Sequence, residues 1–279
     1  MSGGRRKSDR EIAIERKWRD ILLERPDAKD FQRAYDELHA LFLEEQGGVG
    51  EIYGEVNPRK QDAGRQAVLR LVGQGHRVLE LGCGDGMTSY LLAKAGNSVV
   101  SIDISQIALE HARARVTPNS TLDLRYEYGD ARKLDFSDAS FDFVISEHLI
   151  EHLPPQDIVQ HFREVWRVLM PGGCYLALTP SRLAGGRQSV GFHLRVYVLE
   201  ELCHLLEGVG FEVTWVEPKF LPKYGFMFQV RRPFLVGVFL YDRVMEALRL
   251  WTWPSAIKWR MMPTLMVSAR KVEESNSLH

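Results

Sequence analysis

Cysteine is scarce in this chain. Cys83, Cys174 and Cys203 are the only three in 279 residues and lie far apart. They form neither a zinc spacing nor a disulfide framework, which predicts a reducing, cytoplasmic compartment. Long apolar runs are missing too. No stretch of about 18 uncharged apolar residues occurs, so no spanning helix is expected. Residues 1–18 are charged and contain no apolar h-region, which argues against a secretory signal. Net charge is also small, with 36 basic against 37 acidic residues, so no overall basic excess draws the chain to nucleic acid. Internal repeats and low-complexity tracts are absent. What is present, 45% apolar and 26% charged residues, is a globular composition in a chain long enough to bury a substantial core.

The neutral total conceals an asymmetry. Residues 219–271 hold ten basic and two acidic side chains, a local charge of +8, together with ten aromatics. Bias confined to one segment can serve a function that the average hides.

Residues 1–46 read as helical, with Ile12, Ile14, Trp18, Ile21 and Leu22 in one stripe and Phe31, Tyr35, Leu38, Leu41 and Phe42 in a second, separated by Pro26. A Gly-rich loop follows at 47–58, then a helix at 61–72. From Arg77 the pattern changes to short apolar runs at 77–81, 98–102, 124–128, 141–146 and 174–179, with helices at 87–95, 106–116 and 156–169 between them. Continuous apolar strands alternating with helices predict an α/β fold, a doubly wound and mostly parallel sheet covered on both faces. A further helix at 196–207, a strand at 211–216 and a last strand at 263–269 complete the reading.

The sharpest local signal is Val78-Leu79-Glu80-Leu81-Gly82-Cys83-Gly84-Asp85-Gly86, which leaves a strand and opens a helix. Glycines there permit positive φ and let a ligand approach the backbone. In an open α/β sheet, ligands sit beyond the carboxyl ends of the strands. A dinucleotide fingerprint would place its third glycine where Met87 stands, and Glu80 at the strand end would repel a pyrophosphate. A ligand carrying an ammonium or sulfonium tolerates that carboxylate. Taken alone, the loop is equally well a plain Gly-rich turn. Two acids add to it. Asp103 ends the second strand and can accept both hydroxyls of a ribose, although helix capping is its other reading. Asp130 follows the third strand and can accept from an exocyclic adenine amine, although an ordinary turn residue fits too.

With these residues in place the sequence resembles the class I S-adenosylmethionine-dependent methyltransferases. The resemblance is carried by the glycine loop, Ile102-Asp103-Ile104, Gly129-Asp130-Ala131, Phe141-Asp142-Phe143-Val144-Ile145-Ser146 and Arg167-Val168-Leu169-Met170-Pro171-Gly172-Gly173. It spans about residues 75–217, close to half the chain, and is nearest in flavour to the ubiquinone and menaquinone biosynthesis enzymes. It implies a seven-stranded sheet with an antiparallel last strand and S-adenosyl-L-methionine as cofactor. Glu80, Gly82, Cys83, Gly84 and Gly86 would surround the methionine part, Asp103 and Ile104 the ribose, and Asp130 with Ala131 the adenine.

The loop after the fourth strand, Ser146-Glu147-His148-Leu149-Ile150-Glu151-His152-Leu153, faces the expected site of transfer. His148 and Glu147 are the candidate bases, and Glu147 is also a candidate cofactor contact. His152, one helical turn on, would share a face with His148. His193, after the fifth strand, is a third candidate. Packing or positioning remains the other reading of His148. The acidic and histidine residues here lack H-E-x-x-H order, so no metal is expected. The loop also lacks the Asn/Asp-Pro-Pro-aromatic motif by which DNA-adenine and glutamine methyltransferases resemble one another, and no cysteine follows a proline there. A nucleic-acid substrate is therefore disfavoured. The expected acceptor is a hydrophobic or aromatic small molecule, lipid or quinone-like, methylated on oxygen or carbon. A catalytically inert cofactor-binding module and an NAD-dependent oxidoreductase are the alternatives.

Domain organisation follows: an N-terminal helical lid over 1–60, a catalytic domain over 61–217 and 263–272, and a basic-aromatic insertion over 218–262, where a hairpin would be usual. That insertion has three open readings beyond packing on its own domain: a cap on the acceptor, a homodimer surface, or peripheral contact with a membrane.

Overall fold

The computed structural model describes residues 8–24, 26–46, 63–180, 192–215 and 264–272. The predicted insertion at 218–262 lies outside the described residues, as do 47–62. Two helices, α1 (Asp9–Leu23) and α2 (Ala28–Gln46), are followed by α3 (Ala63–Val72), β1 (Arg77–Leu81), α4 (Met87–Lys94), β2 (Ser98–Asp103), α5 (Gln106–Ala114), β3 (Leu124–Tyr128) and β4 (Phe141–Glu147). A 3₁₀ turn (Ile150–His152), α6 (Ile158–Val168), β5 (Leu169–Pro180), α7 (Leu199–Glu207), β6 (Phe211–Trp215) and β7 (Thr264–Lys271) complete the order.

The strands form one seven-stranded sheet in the order β3-β2-β1-β4-β5-β7-β6. The first five in that order run parallel to one another, and β7 runs antiparallel between β5 and β6. Strand alternation sorts the core into two layers. Leu79 and Leu81 of β1 pack with Phe162, Val165, Leu202 and Leu206 of α6 and α7. Val78, one residue out of phase, packs with Val68, Val72 and Leu92 of α3 and α4. Glu80 shares the parity of Val78, so the sheet geometry alone points this carboxylate toward α4.

A third layer lies across the carboxyl edge of the sheet. Trp18 and Leu22 of α1 and Phe31, Leu38 and Phe42 of α2 bury themselves against Phe192 and Leu194, with Ile104 packed alongside. Asp36 of α2 accepts from Ser105 Oγ at 2.7 Å and Ile107 N at 3.3 Å. The two N-terminal helices are thereby fixed over the β2–α5 junction.

The predicted elements are all found where residues are described, with shifted ends. Strand β5 begins at Leu169 rather than Cys174, because Leu169 pairs with Phe141 before the register shifts and the ladder resumes at Phe143–Cys174. The loop after β4 departs further. Instead of a helical face bearing both His148 and His152, His148 takes a left-handed backbone (φ 56°) and a single 3₁₀ turn follows. Among the described residues, no helix is long and apolar enough to cross a membrane.

Candidate active site

Gly84 and Gly86 both have positive φ, 53° and 73°. At Gly86 the reason is packing as well as the turn: a Cβ would stand 2.5 Å from the Tyr126 hydroxyl, which donates to Gly86 O at 2.7 Å. At Gly84 a Cβ would meet nothing within 4 Å, so this side of the loop is open. Asp103 is buried beneath it, accepting from Gly84 N at 2.8 Å through Oδ2 and from Ser105 N at 2.9 Å through Oδ1. Carboxylate and loop therefore brace each other, and Asp103 stands beside the open face of Gly84.

Asp85 turns away from solvent. Its side chain is only 12% exposed; it accepts from Met87 N at 3.2 Å and pairs with Arg115 at 3.2 Å, so it caps α4 and ties it to α5. Glu80, which the resemblance puts at the methionine end, accepts hydrogen bonds from Ser89 and Ser101 beneath the loop. Burial, followed by the nearby charge of Glu147, pushes its pKa up to about 8, despite the Ser89 hydrogen bond and Arg65. A cation held above the loop would favour the ionised form.

That raised pKa has a measurable consequence. The contribution of Glu80 to stability is fully present below its ordinary pKa of 4.5 and is lost as pH rises toward about 8. Ligand-free Glu80→Gln, which keeps a hydrogen-bonding group for the two serines, is expected to lose less stability than the parent between pH 5 and 9. Thermal melts across that range check this; parallel curves would mean that the carboxylate is solvated.

At the next strand end, Asp130 is clasped by Arg132, with contacts of 2.7 to 3.1 Å. Arg132 also donates to Pro26 O at 3.1 Å and Asp157 Oδ2 at 3.0 Å, and its guanidinium sits 4.3 Å from the Phe31 ring centroid. Ala131 O accepts from His161 Nδ1 at 2.8 Å, and His161 Nε2 accepts from Tyr175 Oη at 3.2 Å. Burial lowers the His161 pKa to about 4, which keeps the ring neutral and this loop anchored to β5.

The β4 loop assembles a second group of residues. His148, half exposed, lies 3.2 Å from Glu151 Oε1 through Nδ1. Glu151 is fully buried, and Thr179 Oγ1 donates to its other oxygen at 3.0 Å. Burial would raise the Glu151 pKa, but the His148 hydrogen bond and the fields of His148, His152 and His193 hold it down at about 2. The carboxylate is therefore ionised, so Nδ1–H of His148 donates and Nε2 is the basic nitrogen. Residues 192–195 close the group: Leu194 N donates to Glu151 O at 2.8 Å, and the His193 ring lies 4.9 Å from that of His152. Glu151, His152 and His193 bring three ligand-type atoms within 4.8 Å of one another. Both Glu151 oxygens already accept from His148 and Thr179, and His152 Nδ1 donates to Phe192 O at 3.1 Å.

The structure thus brings His148 and His193 into one cluster about Glu151, with Glu147 close enough to act on Glu80. Sequence reasoning placed Glu151 only in a possible metal cluster. Its role as the anchor of His148 depends on the 3₁₀ turn, for which the sequence carries no periodic signal.

The donor set suits a ligand with a cationic end and a vicinal diol. The charge of Glu147, which already acts on Glu80, disfavours a pyrophosphate at the loop, whereas a cation there would also favour the ionised form of Glu80. Residues 78–173 match the family model described as methyltransferase domain. A protein of Mycolicibacterium smegmatis, named a probable S-adenosylmethionine-dependent methyltransferase, is 39% identical over 143 residues, 50% of this chain and 53% of that protein. The chain spans about half the length of the curated relatives it matches. In fold it is similar to the [4+2]-cyclase SpnF (TM-score 0.60, 22% identity, 88% of this chain and 97% of that one). It is also similar to a Haemonchus contortus phosphoethanolamine N-methyltransferase 2 in complex with S-adenosyl-L-methionine (TM-score 0.58, 21% identity, 92% of this chain and 60% of that one). Residues 78–173 thus carry a methyltransferase domain, similar to those of relatives named S-adenosylmethionine-dependent methyltransferases.

Proposed function

We propose that this protein methylates an oxygen or carbon nucleophile on a hydrophobic or aromatic small molecule. S-adenosylmethionine, when bound, supplies an electrophilic methyl group on a sulfonium. Asp103 with Ile104 would hold the ribose, the glycine loop over Glu80 and Glu147 the methionine end, and Asp130 with Ala131 the adenine. Methyl transfer depends chiefly on holding the nucleophile in line, and an enol or phenol acceptor gains further from a base. The observation that carries the reading is His148: half exposed, with its Nδ1–H fixed on a buried, ionised Glu151. That arrangement turns Nε2 into an oriented proton acceptor, able to take the proton of an acceptor hydroxyl or acidic C–H. The aromatic packing of α2 against Phe192 supports an apolar acceptor.

The test is to incubate the protein with methyl-labelled cofactor and a cell extract, then separate products. Label is expected in an organic-extractable small molecule. Label confined to protein or nucleic acid would overturn the acceptor class. Cofactor binding with no transfer to any fraction would favour an inert cofactor-binding module.

A further inference from the structure

His39 lies outside the segment that matches the family model, on the N-terminal helix α2. Its ring is set between those of Tyr35 and Phe42, at centroid distances of 6.3 and 6.4 Å. It lines a cleft together with Leu43, Gly84, Asp85, Ile107 and His111. That is the open face of the glycine loop, beside Asp103. Its Nδ1 is shielded from solvent and makes no hydrogen bond. A buried polar atom left so is costly, and it points to a ligand that supplies the missing partner.

The surroundings limit that partner's chemistry. Asp103, Asp36 and Asp85 all act on the ring, and burial keeps it neutral. Those three acids are already engaged: Asp103 with Gly84 N and Ser105 N, Asp36 with Ser105 Oγ and Ile107 N, Asp85 with Arg115. A phosphate or carboxylate would meet three negative charges there. A hydroxyl meets none of these objections, and because it both donates and accepts it pairs with either tautomer of a neutral imidazole.

We infer that His39 is a cofactor-binding residue whose Nδ1 hydrogen-bonds a ribose hydroxyl, opposite Asp103. This rests on the cofactor reading above. It makes the N-terminal helix pair a part of the cofactor site.

The test is calorimetry on the full chain with S-adenosylhomocysteine as probe. His39→Phe keeps the ring and removes the polar atom. Its Kd is expected to rise about tenfold, the worth of one hydrogen bond of ~1.4 kcal/mol. The same substitution removes an unpaired buried nitrogen, so the ligand-free variant should melt no lower than the parent. Should it fail to fold, His39→Leu is read instead, with a larger loss of affinity expected for S-adenosylhomocysteine than for the deoxyribose analogue that lacks the hydroxyl Nδ1 meets; equal losses for S-adenosylhomocysteine and for both the 2′- and the 3′-deoxyribose analogues would overturn the inference. A Kd within twofold of the parent for the folded variant would overturn the inference while leaving the cofactor reading intact. A parent protein that ignores S-adenosylhomocysteine would overturn the cofactor reading itself.

Discussion

Substituting His148 by asparagine is expected to lower methyl-transfer turnover by about 10²-fold or more, the usual worth of a general base, with the Kd for S-adenosylhomocysteine nearly unchanged. Asparagine suits this test better than alanine. The backbone at residue 148 has φ 56°, a region asparagine tolerates and most residues resist. The asparagine amide nitrogen stands where Nδ1 does and can still donate toward Glu151. The variant therefore removes Nε2 alone. Alanine would also strip Glu151 of a hydrogen bond that helps hold its pKa near 2, leaving Thr179 as the side-chain donor to a fully buried carboxylate. A loss of turnover in His148→Ala with normal turnover in His148→Asn would make His148 a support for Glu151 and move the base to Glu147 or His193. The assay is single-turnover transfer with saturating cofactor, using the acceptor isolated from the labelling experiment.

The second large effect lies at Asp103. Its replacement by alanine should raise the Kd for S-adenosylhomocysteine by roughly 10- to 100-fold, since hydroxyls stranded without their acceptor cost about 1–3 kcal/mol. Part of the loss comes through the protein, because Gly84 N and Ser105 N lose their acceptor as well. Asp103→Asn separates the two: its amide oxygen can still accept from one of them. Asp85→Ala is the informative contrast. With Arg115 and Met87 N as its partners, its cost should appear in the melting temperature rather than in the Kd. Equal losses of affinity in Asp103→Ala and Asp85→Ala would remove Asp103 from the ribose.

Much of the cofactor side is legible in the sequence because it is local. The glycine loop, Asp103 and Asp130 each follow a strand directly, and a parallel sheet brings successive strand ends to one edge whatever the packing above it. Burial parity could also have been read: Glu80 is in phase with Val78, which signals that its carboxylate turns toward α4. Asp130-Ala131-Arg132 is a short acid–base pair whose closure needs no distant residue. The rest depends on contacts between remote parts of the chain. Glu151 becomes the anchor of His148 only because Thr179 and Leu194 meet it from the far end of β5 and the segment beyond. His39 belongs to a helix whose apolar stripe predicts packing, and no pattern in that stripe says what it packs over. The positive φ of His148 has no glycine to announce it.

The position of β7 has a consequence for how the chain reaches its native state. It is hydrogen-bonded to β5 on one side and β6 on the other, yet among the described residues it is the last strand in sequence. Until residues 264–271 have been synthesised, β5 has an open edge and β6 has no neighbour in the sheet. Strands β1 to β5 can assemble progressively by parallel crossovers, but β6 must wait for β7 across 48 intervening residues, those at 216–263. Closing so long a connection carries an entropic cost that local contacts do not repay in advance, and such pairings form slowly. Completion of the sheet is therefore a late, non-local step, during which the exposed edge of β5 is the part of the molecule most open to pairing with another chain.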